Sequence, residues 1–127
     1  MHKTLSWVGA SLAGLGVILG ALAAHKLKEI APESVGTFQT GVQYQMYHAF
    51  ALILAAIAFE KTGSKRIVQA GWLFFTGIVL FSGSLYALSL LKATGSVGLG
   101  GLGIITPIGG LFFIAGWLFF VLGVLRK

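Results

Sequence analysis

Four long apolar stretches, parted by short basic clusters, constrain this chain more than anything else in it. They cover roughly residues 4–24, 41–60, 67–91 and 107–125. A hydrocarbon core ~30 Å thick is crossed by about 20 helical residues at ~1.5 Å rise each, so every stretch is long enough to span it. Lipid offers backbone N–H and C=O groups no water, and they must bond within the segment as helices do. The expected fold is all-α: a polytopic four-helix transmembrane bundle forming a single membrane domain over 1–127. Composition agrees. Hydrophobic residues make up 57% and charged ones 9%, against about 25% charged in soluble domains, too few to build a water-facing surface.

The first run, Thr4 to Ala24, carries nothing more polar than Ser6 and Ser11. It imitates a signal peptide, since Lys3 precedes an apolar run ending in Ala21, Leu22, Ala23 and Ala24; it is read here as a retained span. A second helix is expected to open near Pro32, whose fixed φ and missing N–H suit a first turn, with Glu33 beside it at the positive end of the dipole. Its start, 32–40, is amphipathic, and a helix from Pro32 to Glu60 would be ~43 Å long, more than the core needs. Those first turns are expected in the interface or capping the bundle. A polar turn, Glu60 to Arg66, precedes the third span. A glycine-rich loop over 93–106 precedes the fourth, with Thr106 as N-cap and Pro107 as first helical residue.

Basic residues set the orientation. Lys3, Lys61, Lys65, Arg66, Arg126 and Lys127 fall on one side of the layer, and Lys26, Lys28 and Lys92 on the other. The positive-inside rule then puts both termini in the cytoplasm of a multi-pass cell-membrane protein. The aromatic residues agree: Trp7, Trp72 and Trp117 fall in the inner halves of their spans and Tyr44, Tyr47 and Tyr86 in the outer halves. The net charge of +6 is accounted for by these anchors, with no nucleic-acid partner expected.

Several chemistries are excluded outright. Cys, Asp and Asn are absent and all three carboxylates are Glu, so there is no thiolate chemistry and no Ser-His-Asp triad. Ser82 or Ser84 with His48 lacks an orienting acid and an oxyanion loop. No enzyme activity, cofactor or metal site is expected; His25 and His48 without a nearby carboxylate make a poor metal pair. His2 is expected in solvent, and Lys26 and Lys28 among the headgroups.

Sorted by depth, the polar side chains collect in the outer half: His25 at the end of span one; Gln43, Tyr44, Tyr47 and His48 early in span two; Ser82, Ser84 and Tyr86 late in span three; Thr106 at the start of span four. These are the candidate polar cluster or ligand site. His48 is the foremost candidate, because an imidazole at membrane depth must find partners, with Tyr44 one turn before it and Ser82 or Ser84 expected across the bundle. The bland reading is interhelical hydrogen bonding. Glycines provide the other pattern: Gly16 and Gly20 on span one, and Gly109, Gly116 and Gly123 on span four, are expected at helix crossings where backbones approach closely. The segment Thr94 to Gly103 is glycine-dense but has no preceding strand and no Lys-Ser or Lys-Thr ending, so it is no phosphate loop.

Taken in order, Ala24-His25-Lys26-Leu27-Lys28, Gln39 through Ala49, Leu80-Phe81-Ser82-Gly83-Ser84-Leu85-Tyr86, Thr106-Pro107-Ile108-Gly109-Gly110 and Gly116-Trp117 carry a resemblance over nearly the whole chain. The sequence resembles the small bacterial membrane proteins grouped as domain of unknown function 423, or uncharacterised protein family 0382, related to transmembrane protein 256. The resemblance implies a four-helix plasma-membrane protein and brings no reaction, substrate or cofactor. Lys26 departs from the family pattern, which commonly has Gly after the His. The expected function is a non-enzymatic bundle, alone or as a homo-oligomer, that binds membrane-protein partners or lipids of the bilayer. The alternative is a small-solute, ion or proton conduit with an outward-facing polar cavity around His48.

Overall fold

The computed structural model describes residues 2–93 and 100–125. Among them the chain is helical, with four helices long and apolar enough to cross a membrane. We number these α1 (Lys3–Ile30), α2 (Pro32–Thr62), α3 (Lys65–Ala93) and α4 (Gly100–Leu125). α2 and α3 form the middle of the bundle; α1 packs mainly on α2, and α4 mainly on α3 while also touching α2.

The turn between α2 and α3 explains itself residue by residue. Gly63 takes φ 62° and its N–H reaches the Phe59 carbonyl at 2.7 Å, a left-handed cap that a side chain would strain. Ser64 then caps α3 by accepting from the Arg66 N–H at 3.2 Å, satisfying one of the free donors of a helix start. The start of α1 lies at this same end, since the His2 N–H donates to the Ala56 carbonyl at 3.2 Å. The end of α4 lies there too, because Gly123 packs on Ile67.

Every helix runs further than its apolar stretch. α1 passes Ala24 and reaches Ile30 through a π-helical turn at Ala23–Leu27; it buries Ala23 and Leu27 against Ala31 and Phe38. α2 opens at Pro32 on a 3₁₀ turn and continues unbroken to Thr62. α4 begins at Gly100, so Thr106 and Pro107 are interior, not cap and first residue. Proline is tolerated inside a lipid helix where neighbours compensate. Of the expected loop over 93–106, residues 94–99 lie outside the described part. His2 also differs from the expectation of a solvated terminus: its Nδ1 accepts from the Leu5 N–H at 3.2 Å, capping α1, and its ring meets Phe59 edge-on.

The core is made by small residues admitting large ones. Leu5, Leu52, Ala55, Ala56, Ile67 and Phe74 are fully buried together. At the crossings, a Cβ on Gly16 would collide with the Met46 side chain, one on Gly109 with the Phe81 backbone, one on Gly116 with the Phe74 ring and one on Gly123 with Ile67, whereas Gly20 has Val42 at an ordinary 3.5 Å. All five glycines meet neighbours within the chain. Such close approach supplies the contact energy that lipid, as apolar as the helices, cannot.

Candidate functional site

The polar residues singled out by depth do not form one cluster. They separate into ties between particular helix pairs. Ser82 and Ser84 show why: at ~100° per residue, two residues apart on a helix point to nearly opposite sides, and α3 lies between α2 and α4. Ser82 Oγ donates to the Gly41 carbonyl of α2 at 2.6 Å. Ser84 Oγ donates to the Phe81 carbonyl at 2.8 Å and sits in hydrogen-bond contact with Thr106 Oγ1 of α4 at 2.6 Å. A π-helical turn, Ile78–Ser82, sets this stretch of α3, with both end residues buried.

Two further ties involve residues outside the expected set. Gln45, 2% exposed, donates from Nε2 to the Leu12 carbonyl of α1 at 2.8 Å and accepts from the Tyr86 hydroxyl of α3 at 2.5 Å. One amide thus ties α1, α2 and α3. Ser89 Oγ donates to the Ser34 carbonyl at 3.0 Å, fastening the end of α3 to the start of α2. Gln45 had a legible signal, since Phe38, Gly41, Gln45, His48 and Leu52 recur at helical spacing on the face α2 buries. Ser89 had none beyond being a polar residue near the end of an apolar run.

Other expected members stand apart. His25 is exposed on α1. Gln43 and Tyr47 are exposed on α2 and bond each other, Nε2 to hydroxyl, at 2.6 Å.

His48 is 5% exposed and has neither serine as partner. Its Nδ1 lies 2.8 Å from the Tyr44 carbonyl, and its Nε2 lies 3.1 Å from the Trp117 Nε1 of α4. A carbonyl only accepts and an indole N–H only donates, so both bonds hold together in one state: neutral imidazole with its proton on Nδ1. Phe113 stacks on the ring at 3.6 Å between centroids and 9° between planes, and Phe74 packs at 5.5 Å. Trp117 lies in the inner half of its span, and its N–H points into the bundle.

This aromatic assembly floors a groove of ≈ 470 Å³ running along α4 from Pro107 past Gly110 to Trp117. Tyr44 of α2 and Phe81 of α3 close its far side, in ring contact at 4.7 Å. Leu111 and Ile114, 64% and 60% exposed, form the outer wall. The groove therefore opens sideways, toward whatever surrounds the bundle. Its lining is mostly apolar, within the size range of small-molecule sites. Tyr44 is 36% exposed, and its hydroxyl makes no hydrogen bond among the described residues.

Residues 19–110 match the family described as "Protein of unknown function (DUF423)". The UPF0382 membrane protein YwdK of Bacillus subtilis is 44% identical over 126 residues, covering 98% of each chain. A UPF0382 membrane protein of Staphylococcus epidermidis is 40% identical over 125 residues, 98% of this chain and 97% of its own length. The UPF0382 inner membrane protein YgdD of Escherichia coli is 36% identical over 130 residues, 99% of this chain and 93% of its own. No solved structure matches the chain. With four membrane-length helices and relatives matched end to end, the chain belongs to the DUF423 (UPF0382) family of membrane proteins.

Proposed function

We propose that this protein is a non-enzymatic, multi-pass cell-membrane bundle with both termini in the cytoplasm, which binds membrane lipids or membrane partners through a laterally open groove. One observation carries the reading: Gln45, His48, Ser82 and Ser84 are engaged in bonds that tie the helices, with the Ser34 hydroxyl the buried exception among the described residues, while the ≈ 470 Å³ groove faces sideways with a mostly apolar lining. A conduit needs polar groups free to exchange partners along a path. Here the Ser82 and Ser84 hydroxyls each donate to a backbone carbonyl, and both nitrogens of His48 are engaged. The same bonds leave no serine aligned with His48 for nucleophilic chemistry. The excess of Lys3, Lys61, Lys65 and Arg66 at the end holding the termini supports the orientation.

The test is a pair of measurements on the full chain. In proteoliposomes, proton and ion flux is expected to equal that of empty vesicles, for wild type and His48→Ala alike. In gentle extraction, lipid or a partner protein is expected to co-purify. Flux that His48→Ala abolishes while the protein stays folded would replace this reading with a conduit.

A further inference from the structure

We infer that the groove between α2 and α4 seats one acyl chain of a glycerolipid from the leaflet opposite the termini, with the Tyr44 hydroxyl donating to that lipid's ester carbonyl. This deepens the proposed function and rests on it. Three observations lead there.

The first is length. Pro107 and Trp117, the two ends of the groove on α4, are ten residues apart, or ~15 Å at helical rise, which is half of a ~30 Å hydrocarbon core. The groove is one leaflet deep. The second is depth. Pro107 lies eighteen residues before Leu125 at the end of α4, ~27 Å from that boundary, so the groove starts just below the opposite headgroup region and descends to the midplane.

The third is the unpaired donor. Tyr44 lies sixteen residues before Glu60, ~24 Å along α2 from the charged end. Long side chains on a helix lean toward its N-terminus, which for α2 is the end remote from the termini. That tendency puts the phenol within reach of the level where ester carbonyls begin. An acyl chain fills an apolar slot one leaflet long, and its ester supplies the acceptor the slot's single free donor lacks. A partner helix would bring its carbonyls already bonded.

The experiment uses the full chain in a Trp7→Phe, Trp72→Phe background, so that Trp117 alone fluoresces. It is placed in phosphatidylcholine vesicles containing a fraction of the same lipid brominated mid-chain. Bromine is expected to quench Trp117 in the parent, with at least a two-fold loss of quenching in Gly110→Leu, which fills the groove. Ile114→Phe, on the exposed wall, should give the same loss without touching the core. Tyr44→Phe should weaken competition by unlabelled diacyl lipid about three- to ten-fold, the worth of one hydrogen bond, and leave competition by the dialkyl ether analogue unchanged.

Equal quenching in the parent and both filled variants overturns the seat. An equal effect of Tyr44→Phe on ester and ether lipids overturns the carbonyl contact. Disulfide-linked dimers of an Ile114→Cys variant, in this cysteine-free chain, would show a second copy's helix there and overturn it as well. Native mass spectrometry separates the two levels: lipid adducts that persist when the seat fails leave the broader binding function standing, and absence of any retained lipid or partner removes both.

Discussion

Trp117 donates its indole N–H to Nε2 of His48, 69 positions away in the chain, at 3.1 Å. Since Nδ1 meets the Tyr44 carbonyl, the bond fixes the imidazole as one neutral tautomer. A second proton could enter at Nε2 only if the indole moved away. The pair acts as a latch between α2 and α4.

Cutting the latch should cost stability. Trp117→Phe leaves a buried acceptor unpaired, a loss of about 1–3 kcal/mol in water-soluble cores. Unfolded helices in lipid find other partners, which reduces such terms to about 1 kcal/mol. His48→Ala removes the ring under Phe113 as well and should cost more, about 2–4 kcal/mol by analogy with emptied core sites. Equilibrium unfolding in mixed micelles should rank them in that order; a larger loss for Trp117→Phe would place the energy in the indole's other contacts.

Neighbouring glycines on α4 should behave oppositely. A methyl group on Gly109 would strike the Phe81 backbone, which cannot swing aside, while one on Gly110 finds its nearest atom 3.9 Å away. Gly109→Ala is expected to destabilise by about 1–3 kcal/mol through overpacking. Gly110→Ala should be neutral within about 0.5 kcal/mol. The same unfolding measurement decides, and equal losses would mean that α4 is not seated on α3 at this crossing.

The number of helices was legible because it depends on run length alone, and the end of α2 because Glu60 to Arg66 is a polar run between two apolar ones. Where α4 begins was not. Thr106-Pro107 has the form of a helix start, but the helix runs back to Gly100 and holds both in its interior. Of the candidate set, Tyr44 and His48 line the groove, while the pairings of the polar residues were not legible. His48 needed a partner by virtue of its depth, and spacing could suggest Ser82 or Ser84; which helix face meets which is decided by packing across the bundle. There Gly41 receives Ser82, and the indole of Trp117 reaches His48. The spacing of Gln45 with Phe38, Gly41, His48 and Leu52 marks the face that α2 buries, but the partners of its amide come from α1 and α3 and are set only by packing.

The three-helix tie at Gln45 gives a coupling prediction. Tyr86 donates to Gln45, which donates to Leu12. Tyr86→Phe removes one bond and Gln45→Leu removes both, so the double variant should lose less than the sum of the singles. The interaction is expected at about 0.6–1.7 kcal/mol, the range for hydrogen bonds between membrane helices. A double-mutant cycle on unfolding free energies measures it, and strict additivity would mean that the hydroxyl finds another acceptor when the amide is absent.

The bundle places the α2–α3 turn and the start of α1 at one end, with the α1–α2 junction at the other. Which end faces the cytoplasm is a question of charge: Lys3, Lys61, Lys65 and Arg66 gather at the first end, and Lys26 and Lys28 lie near the second. Short basic segments resist translocation, so the end with the turn should stay inside. Because the chain has no cysteine of its own, single substitutions report this directly. Glu29→Cys, exposed beside the α1–α2 junction, should react in intact cells with a maleimide that cannot cross the membrane. Lys61→Cys, exposed before the turn at Gly63, should react only after the cells are opened. The reverse pattern would invert the protein and move the lipid seat beneath Pro107 to the cytoplasmic leaflet, while leaving every helix contact described above in place.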